Sequence, residues 1–205
     1  MTEFFDIAVT PSVLALQERK GSLGMYTDAV GAGPSESHVI TQSEAKLLLT
    51  RDSFYLATVG ETGWPYVQHR GGDAGFIKIV DEHTIGWAER NGNRQYLGTG
   101  NIAANGRVAA IFVDYPSRTR LKIYGEATHH DEPSSELLEE LGATDLRNDG
   151  AITIKLLATD WNCPKYITPR FTEAHVAGAI EQLQDRIAEL EGELSIAREE
   201  AGPPS

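Results

Sequence analysis

Cys163 is the only cysteine in the chain, so no intrachain disulfide can brace the fold. With one thiol and no HExxH-type spacing, no zinc site is expected either. Basic residues are scarce: Lys and Arg number 18 against 30 Asp and Glu, a formal net charge of -12. A surface of that sign repels a phosphodiester backbone and an anionic bilayer alike, so neither nucleic acid nor membrane is expected as a partner. No apolar run approaches the ~20 residues of a membrane helix; even residues 102–115 are interrupted by Asn105, Arg107 and Asp114. The first residues, Met1-Thr2-Glu3-Phe4-Phe5-Asp6, lack the basic, then apolar, build of a signal peptide, which makes a reducing cytoplasm the expected location. P-loop and nucleophile-elbow motifs are missing, and Gly98-Thr99-Gly100 stands in no βαβ unit that would make it a dinucleotide fingerprint.

What is present suits one filled core with an appended element, since 205 residues exceed what a single small domain needs. Pro11 and the apolar Val13, Leu14 and Leu16 predict a short helix over residues 11–19, ended by Gly21. Residues 29–37 read as a loop by composition, and a helix is expected to open at Ser43 and Glu44. Strand-like segments then follow in pairs: 54–59 with the run after Gly63, 76–80 with 84–88, and 107–115 with 121–129 around Pro116. Short helices are expected over 93–105 and 134–141, and a last strand over 151–157 leads into an irregular segment, 160–170. The pattern is that of a mostly antiparallel sheet with helices at its side.

Beyond Glu173 the periodicity changes. Val176, Ile180, Leu183, Ile187, Leu190, Leu194 and Ala197 alternate steps of four and three, with Ile180, Ile187 and Leu194 on one seam position. Such a repeat predicts either a two-stranded parallel coiled coil or a single amphipathic helix lying on its own domain. The chain therefore divides into 1–172 and a tail, 173–205, with Arg186, Glu189, Glu191 and Glu193 as a solvated face and 202–205 frayed.

Two stretches are equipped to hold an anion. Gly63-Trp64-Pro65-Tyr66-Val67-Gln68-His69-Arg70-Gly71-Gly72 is a glycine-broken strand bearing an arginine, and Gly92-Asn93-Arg94-Gln95 leads into a helix. Arginine offers a permanent charge and a planar fork that fits phosphate, glycine lets amides approach a ligand, and a helix start presents free amides. On these residues, with 118–125 and 160–171, the stretch from about Phe4 to Phe171 resembles the pyridoxamine 5'-phosphate oxidase-like flavin proteins.

The resemblance implies an antiparallel split β-barrel of Greek-key type with flanking helices, here followed by the heptad helix. It also implies FMN bound at a homodimer interface and redox chemistry with a small-molecule substrate or a nicotinamide donor. In such proteins the flavin phosphate is held from the second barrel strand and the start of the next helix, places taken here by Gln68, His69 and Arg70 and by Asn93, Arg94 and Gln95. Arg120 or Lys122 stands where a residue reaches the flavin pyrimidine edge, and a cation there stabilises the negative charge of the reduced ring. Trp161 and Arg170 match the late segment that covers the ring from the neighbouring subunit. Neighbouring branches of the fold use FAD, F420 or haem, so a non-catalytic flavin- or haem-binding sensor or storage protein is the alternative reading.

Each residue also has a plainer role open to it. Arg70, Arg94 and Arg120 can be surface arginines paired with carboxylates, His69 an ordinary half-buried histidine, and Trp64 and Trp87 core or interface aromatics. His129 and His130 are adjacent on a strand and face opposite ways, and Cys163 reads as a structural thiol. Thr168-Pro169-Arg170-Phe171-Thr172 replaces the Arg-x-His segment that binds substrate in pyridoxamine phosphate oxidases, so vitamin B6 oxidation itself is not expected.

Overall fold

The computed structural model describes residues 2–25, 38–90, 92–143, 148–161 and 164–201. The 29–37 loop, Cys163, and the 202–205 end lie outside the described residues. The elements run α1 (Thr2–Ala8), α2 (Pro11–Lys20), a 3-10 turn (Leu23–Met25), α3 (Gln42–Leu48), β1 (Ser53–Val59), β2 (Pro65–Gly71), β3 (Lys78–Ile79) and β4 (Thr84–Arg90). Then come α4 (Leu97–Ala104), β5 (Arg107–Asp114), β6 (Thr119–His130), α5 (Ser135–Glu140), β7 (Asn148–Trp161) and α6 (Glu173–Ala201). Among the described residues no helix is long and apolar enough to cross a membrane.

All pairings are antiparallel, and the seven strands form one sheet in the order β2-β1-β5-β6-β7-β4-β3. This is the mainly antiparallel, helix-flanked architecture expected from the sequence. Hydrogen bonds do not close the sheet, and β2 and β3 are its free edges. The sheet nevertheless curls around its core. Phe54 of β1 stacks on Phe112 of β5 with ring centroids 4.7 Å apart and meets Trp87 of β4 edge-on at 5.2 Å, although β1 and β4 stand four places apart in the order.

Period-two burial sets the inner face. Phe54, Leu56 and Thr58 of β1, Val108, Ala110 and Phe112 of β5, and Leu121 and Ile123 of β6 are all buried. Ile85 and Trp87 of β4 and Ile152, Ile154 and Leu156 of β7 complete the core from the other half. Tyr55, Val67, Lys122 and Tyr124 fall on the opposite, outer face, where α1 lays Phe4 against Tyr124 at 4.7 Å.

Several boundaries differ from the sequence-based expectation for identifiable reasons. The α3 cap is Thr41, not Ser43: its hydroxyl accepts from Glu44 N while the Glu44 carboxylate accepts from Thr41 N at 2.8 Å, a reciprocal capping box. Glu44 is also buried, at 1% exposure, and accepts from Thr159 Oγ1 at 2.5 Å and pairs with His38 Nε2 at 3.0 Å. Strand β7 runs to Trp161 rather than Leu157, because Ala158, Thr159, Asp160 and Trp161 continue the ladder with β6 past a register shift opposite Tyr124 and Gly125. Gly125 is required there, since a Cβ would lie 2.5 Å from Ile154 Cγ2 and 2.6 Å from Lys155 O. The strand expected over 76–80 shrinks to Lys78–Ile79 at the sheet edge. The first helix, α1, went unread because its seven residues are too short for a periodic signal.

Candidate site at the start of α4

The loop between β4 and α4 was expected to be helical from Asn93. Instead the Asn93 side chain accepts from Gln95 N at 3.1 Å, a local turn that competes with helix, and α4 begins only at Leu97. Arg94 and Tyr96 adopt left-handed backbone, with φ of 58° and 51°. For side-chain-bearing residues that conformation is costly and persists where surrounding structure imposes it, commonly at ligand sites. Tyr96 caps α4 with no side-chain hydrogen bond, and the amides of a first helical turn have no acceptor within their own helix.

Around this loop is a pocket of about 200 Å³ lined by Tyr66, Gln68, Arg70, Glu89, Arg94 and Thr99 among others. Five of the residues singled out from sequence meet here: Gln68, Arg70, Asn93, Arg94 and Gln95. They come together because Tyr66, Gln68 and Arg70 alternate onto the inward-leaning side of β2. Gly98 in α4 makes the approach feasible. A Cβ at Gly98 would stand 2.9 Å from Gln68 Oε1 and 3.3 Å from Arg70 Nη2. A larger groove of about 890 Å³ adjoins it, sharing Gln68, Arg70, Glu89, Arg90 and Gly92 and adding His69 and Trp87.

Charge in the pocket is partly spoken for. Arg70 Nη1 donates to both oxygens of Glu89, at 2.6 and 2.8 Å, and Trp87 Nε1 donates to Glu89 Oε1 at 2.6 Å. Glu89 is the residue that sequence reasoning missed. Its signal was available in period-two spacing, which puts Glu89 on the same inner face as Trp87 and Ile85. Arg90 pairs with Asp73 at 3.1 Å in an exposed contact. With Arg70 matched by Glu89, Arg94 and the helix start are the further sources of positive potential at the α4 mouth. Arg70 Nε remains buried without a hydrogen-bond partner. These features fit a phosphate-sized anion.

Of the remaining candidates, His69 borders the larger groove and the others line neither cavity. His69 points to the outer side of β2, edge-on to Tyr55 at 5.5 Å. Arg120 and Lys122 are on β6, three places from β2, and Lys122 is on the outer face. Lys122 Nζ is 3.0 Å from Asp160 and sits 4.7 Å from the Phe4 ring centroid. Arg120 Nε is buried with no partner. Trp161 ends β7 opposite Leu121, 38% exposed, and the Arg170 guanidinium lies 4.7 Å over the Tyr115 ring. A single chain therefore assembles the phosphate-type residues in one pocket and leaves Arg120, Lys122, Trp161 and Arg170 apart from them.

The sequence model of pyridoxamine 5'-phosphate oxidase matches residues 40–154, more than half of the chain and all of β1 to β6. No curated protein matches. Among solved structures, HupZ of Group A Streptococcus is 16% identical, covering 64% of this chain and 99% of that one with a TM-score of 0.48. An FMN-binding protein from Syntrophomonas wolfei is 11% identical, with coverage of 73% and 97% and a TM-score of 0.45. HutZ, the haem storage protein from Vibrio cholerae, is 12% identical, with coverage of 60% and 94% and a TM-score of 0.41.

Proposed function

Because the chain belongs to the pyridoxamine 5'-phosphate oxidase family, we propose that it binds flavin mononucleotide and serves as a homodimeric oxidoreductase toward a small molecule. The observation that carries this reading is the mouth of α4: uncapped first-turn amides, left-handed Arg94 and Tyr96, and Gly98 held clear of Gln68 and Arg70. That combination suits a phosphomonoester. In this role Arg94 supplies a permanent positive charge, Gln68 an amide donor, and the α4 amides short hydrogen bonds to phosphate oxygens. Asn93 braces the loop through Gln95 N rather than touching the ligand. Arg70, neutralised by Glu89, positions the β2 wall and offers its remaining N–H groups.

When bound, the flavin supplies the centre that exchanges hydride or electrons with the substrate, so no protein nucleophile is required. His69 borders the adjoining groove, open enough for a substrate or a nicotinamide donor. Lys122, Arg120, Trp161 and Arg170, separated from the phosphate residues within one chain, act from the second copy in this reading.

The deciding experiment is an absorbance spectrum of the purified protein with mass spectrometry of whatever acid releases. Bands near ~450 and ~375 nm with FMN released support the proposal. A haem or deazaflavin spectrum replaces the cofactor, and a colourless protein that FMN does not reconstitute refutes it.

A further inference from the structure

Every described side chain of α6 from Glu173 to Arg198 is exposed, and no strand or helix of the sheet domain packs along it among the described residues. Its large apolar residues, Ile196 apart, are nonetheless ordered in a single stripe. Val176, Ile180, Leu183, Ile187, Leu190 and Leu194 are 36% to 64% exposed and fall on alternating seam positions. An isolated helix draws little stability from propensity alone and depends on burying such a face. A seam of this length and regularity calls for a partner helix with the same repeat.

The flanking charges identify that partner. With Ile180, Ile187 and Leu194 at position a and Leu183 and Leu190 at position d, Arg186 and Glu193 fall at g, and Glu191 and Arg198 at e. In a parallel, in-register pair each g residue faces the e residue five places further along the other helix. Arg186 of one copy then faces Glu191 of the other, and Glu193 faces Arg198. Both contacts are attractive, each occurs twice by symmetry, and the other flanking residues between 177 and 198 are the uncharged Ala177, Ala179 and Gln184. An antiparallel pair with the same seam in register would match only Arg186 with Glu193, leaving Glu191 and Arg198 beside Gln184 and Ala177. Isoleucine at two of the three a positions, with leucine at d, favours the same two-stranded parallel arrangement. Within one chain Arg186 bonds Glu189 on the exposed helix surface, a weak, solvent-screened contact that is easily exchanged.

We infer that α6 is an interaction surface for a second copy of this chain, forming a parallel, in-register coiled coil. The assignment rests on the seam and its flanking charges and is independent of which cofactor the sheet domain binds. It brings the two C-terminal ends together.

The test uses the full-length chain carrying Cys163→Ser, with single cysteines introduced as Leu190→Cys at d and as Glu189→Cys at the outward c position. Equivalent d residues of a parallel pair sit opposite one another within disulfide range. Under mild oxidation at low protein concentration, Leu190→Cys should yield covalent dimer at least tenfold faster than Glu189→Cys. Equal rates at the two positions, or no dimer from either, would overturn the inference. In the Leu190→Cys background, Arg186→Glu should slow cross-linking several-fold at low salt, and adding Glu191→Arg should restore it. Failure of the second change to restore the rate would overturn the parallel register.

Discussion

Arg70 is held by Glu89: its Nη1 lies 2.6 and 2.8 Å from the two carboxylate oxygens, and Glu89 is only 7% exposed. The two residues come from β2 and β4, five places apart in the sheet order, so the pair spans the open side of the curled sheet. It fixes the width of the pocket mouth and takes up a charge that the sequence seemed to offer to phosphate. Removing one member should therefore be felt mainly as lost stability. Arg70→Ala leaves a buried carboxylate with only Trp87 as donor and should cost about 3 kcal/mol, read as a fall in the urea midpoint. Glu89→Gln keeps the shape and releases the arginine charge, and should tighten FMN binding several-fold in a fluorescence titration.

Arg94 stands at the mouth of α4, in the same pocket lining as Gln68 and Arg70. Arg94→Ala should weaken FMN by roughly 10- to 150-fold, the equivalent of about 1.5–3 kcal/mol for a charge-assisted phosphate contact. The dissociation constant from flavin fluorescence quenching measures this directly, and an unchanged value would remove phosphate from the α4 mouth.

Gly98 separates binding from folding. Alanine is tolerated by the helix and gains about 1 kcal/mol of propensity, so thermal stability of Gly98→Ala should hold or rise. The new methyl, however, would stand 2.9 Å from Gln68 Oε1 and push that flexible side chain aside. A loss of flavin affinity of about tenfold without a loss of melting temperature is expected; unaltered affinity would take Gln68 out of the site.

Glu44 sets an acid limit on stability. Burial alone would raise its pKa, but hydrogen bonds from His38, Thr159 and Thr41 outweigh that and lower it from 4.5 to about 2. A carboxyl depressed in the folded state stabilises above its unfolded value, and that contribution is lost as pH falls from about 4.5 toward about 2. The difference corresponds to about 3 kcal/mol at neutral pH. Glu44→Gln should lower stability at pH 7 by an amount of that order and flatten the pH dependence across this window, as followed by urea denaturation at a series of pH values.

The sheet was legible because apolar runs rich in aromatic and β-branched residues and bounded by turn residues are a local signal. Residues 54–59 read as a strand, ended by Gly60, without any knowledge of the neighbours, although Tyr55, Ala57 and Val59 are as apolar as the Phe54, Leu56 and Thr58 face that is buried. The family was legible for a related reason, since glycines and arginines at fixed places around β2 and α4 carry a pattern that survives on the page. The partner of Arg70 was not legible, because Glu89 lies 19 residues away and meets it only once the sheet curls. Lys122 and Asp160 are likewise joined by pairing of β6 with β7, and the sequence between them gives no register. The late start of α4 was hidden by an asparagine whose side chain could equally have opened the helix.

Strand β7 fills the gap between β6 and β4, so β4 has no inner neighbour until residues 148–161 exist. On the ribosome, the first six strands therefore emerge with β4 unpaired on its inner side and with Ile85 and Trp87 lacking the β7 residues that cover them. Non-local pairing of this kind slows folding and lengthens the time that an apolar strand edge is open to other chains. Synthesis as far as Trp161 is thus the event that commits the two halves to one core, and a truncation anywhere before it yields an aggregation-prone chain rather than a smaller domain.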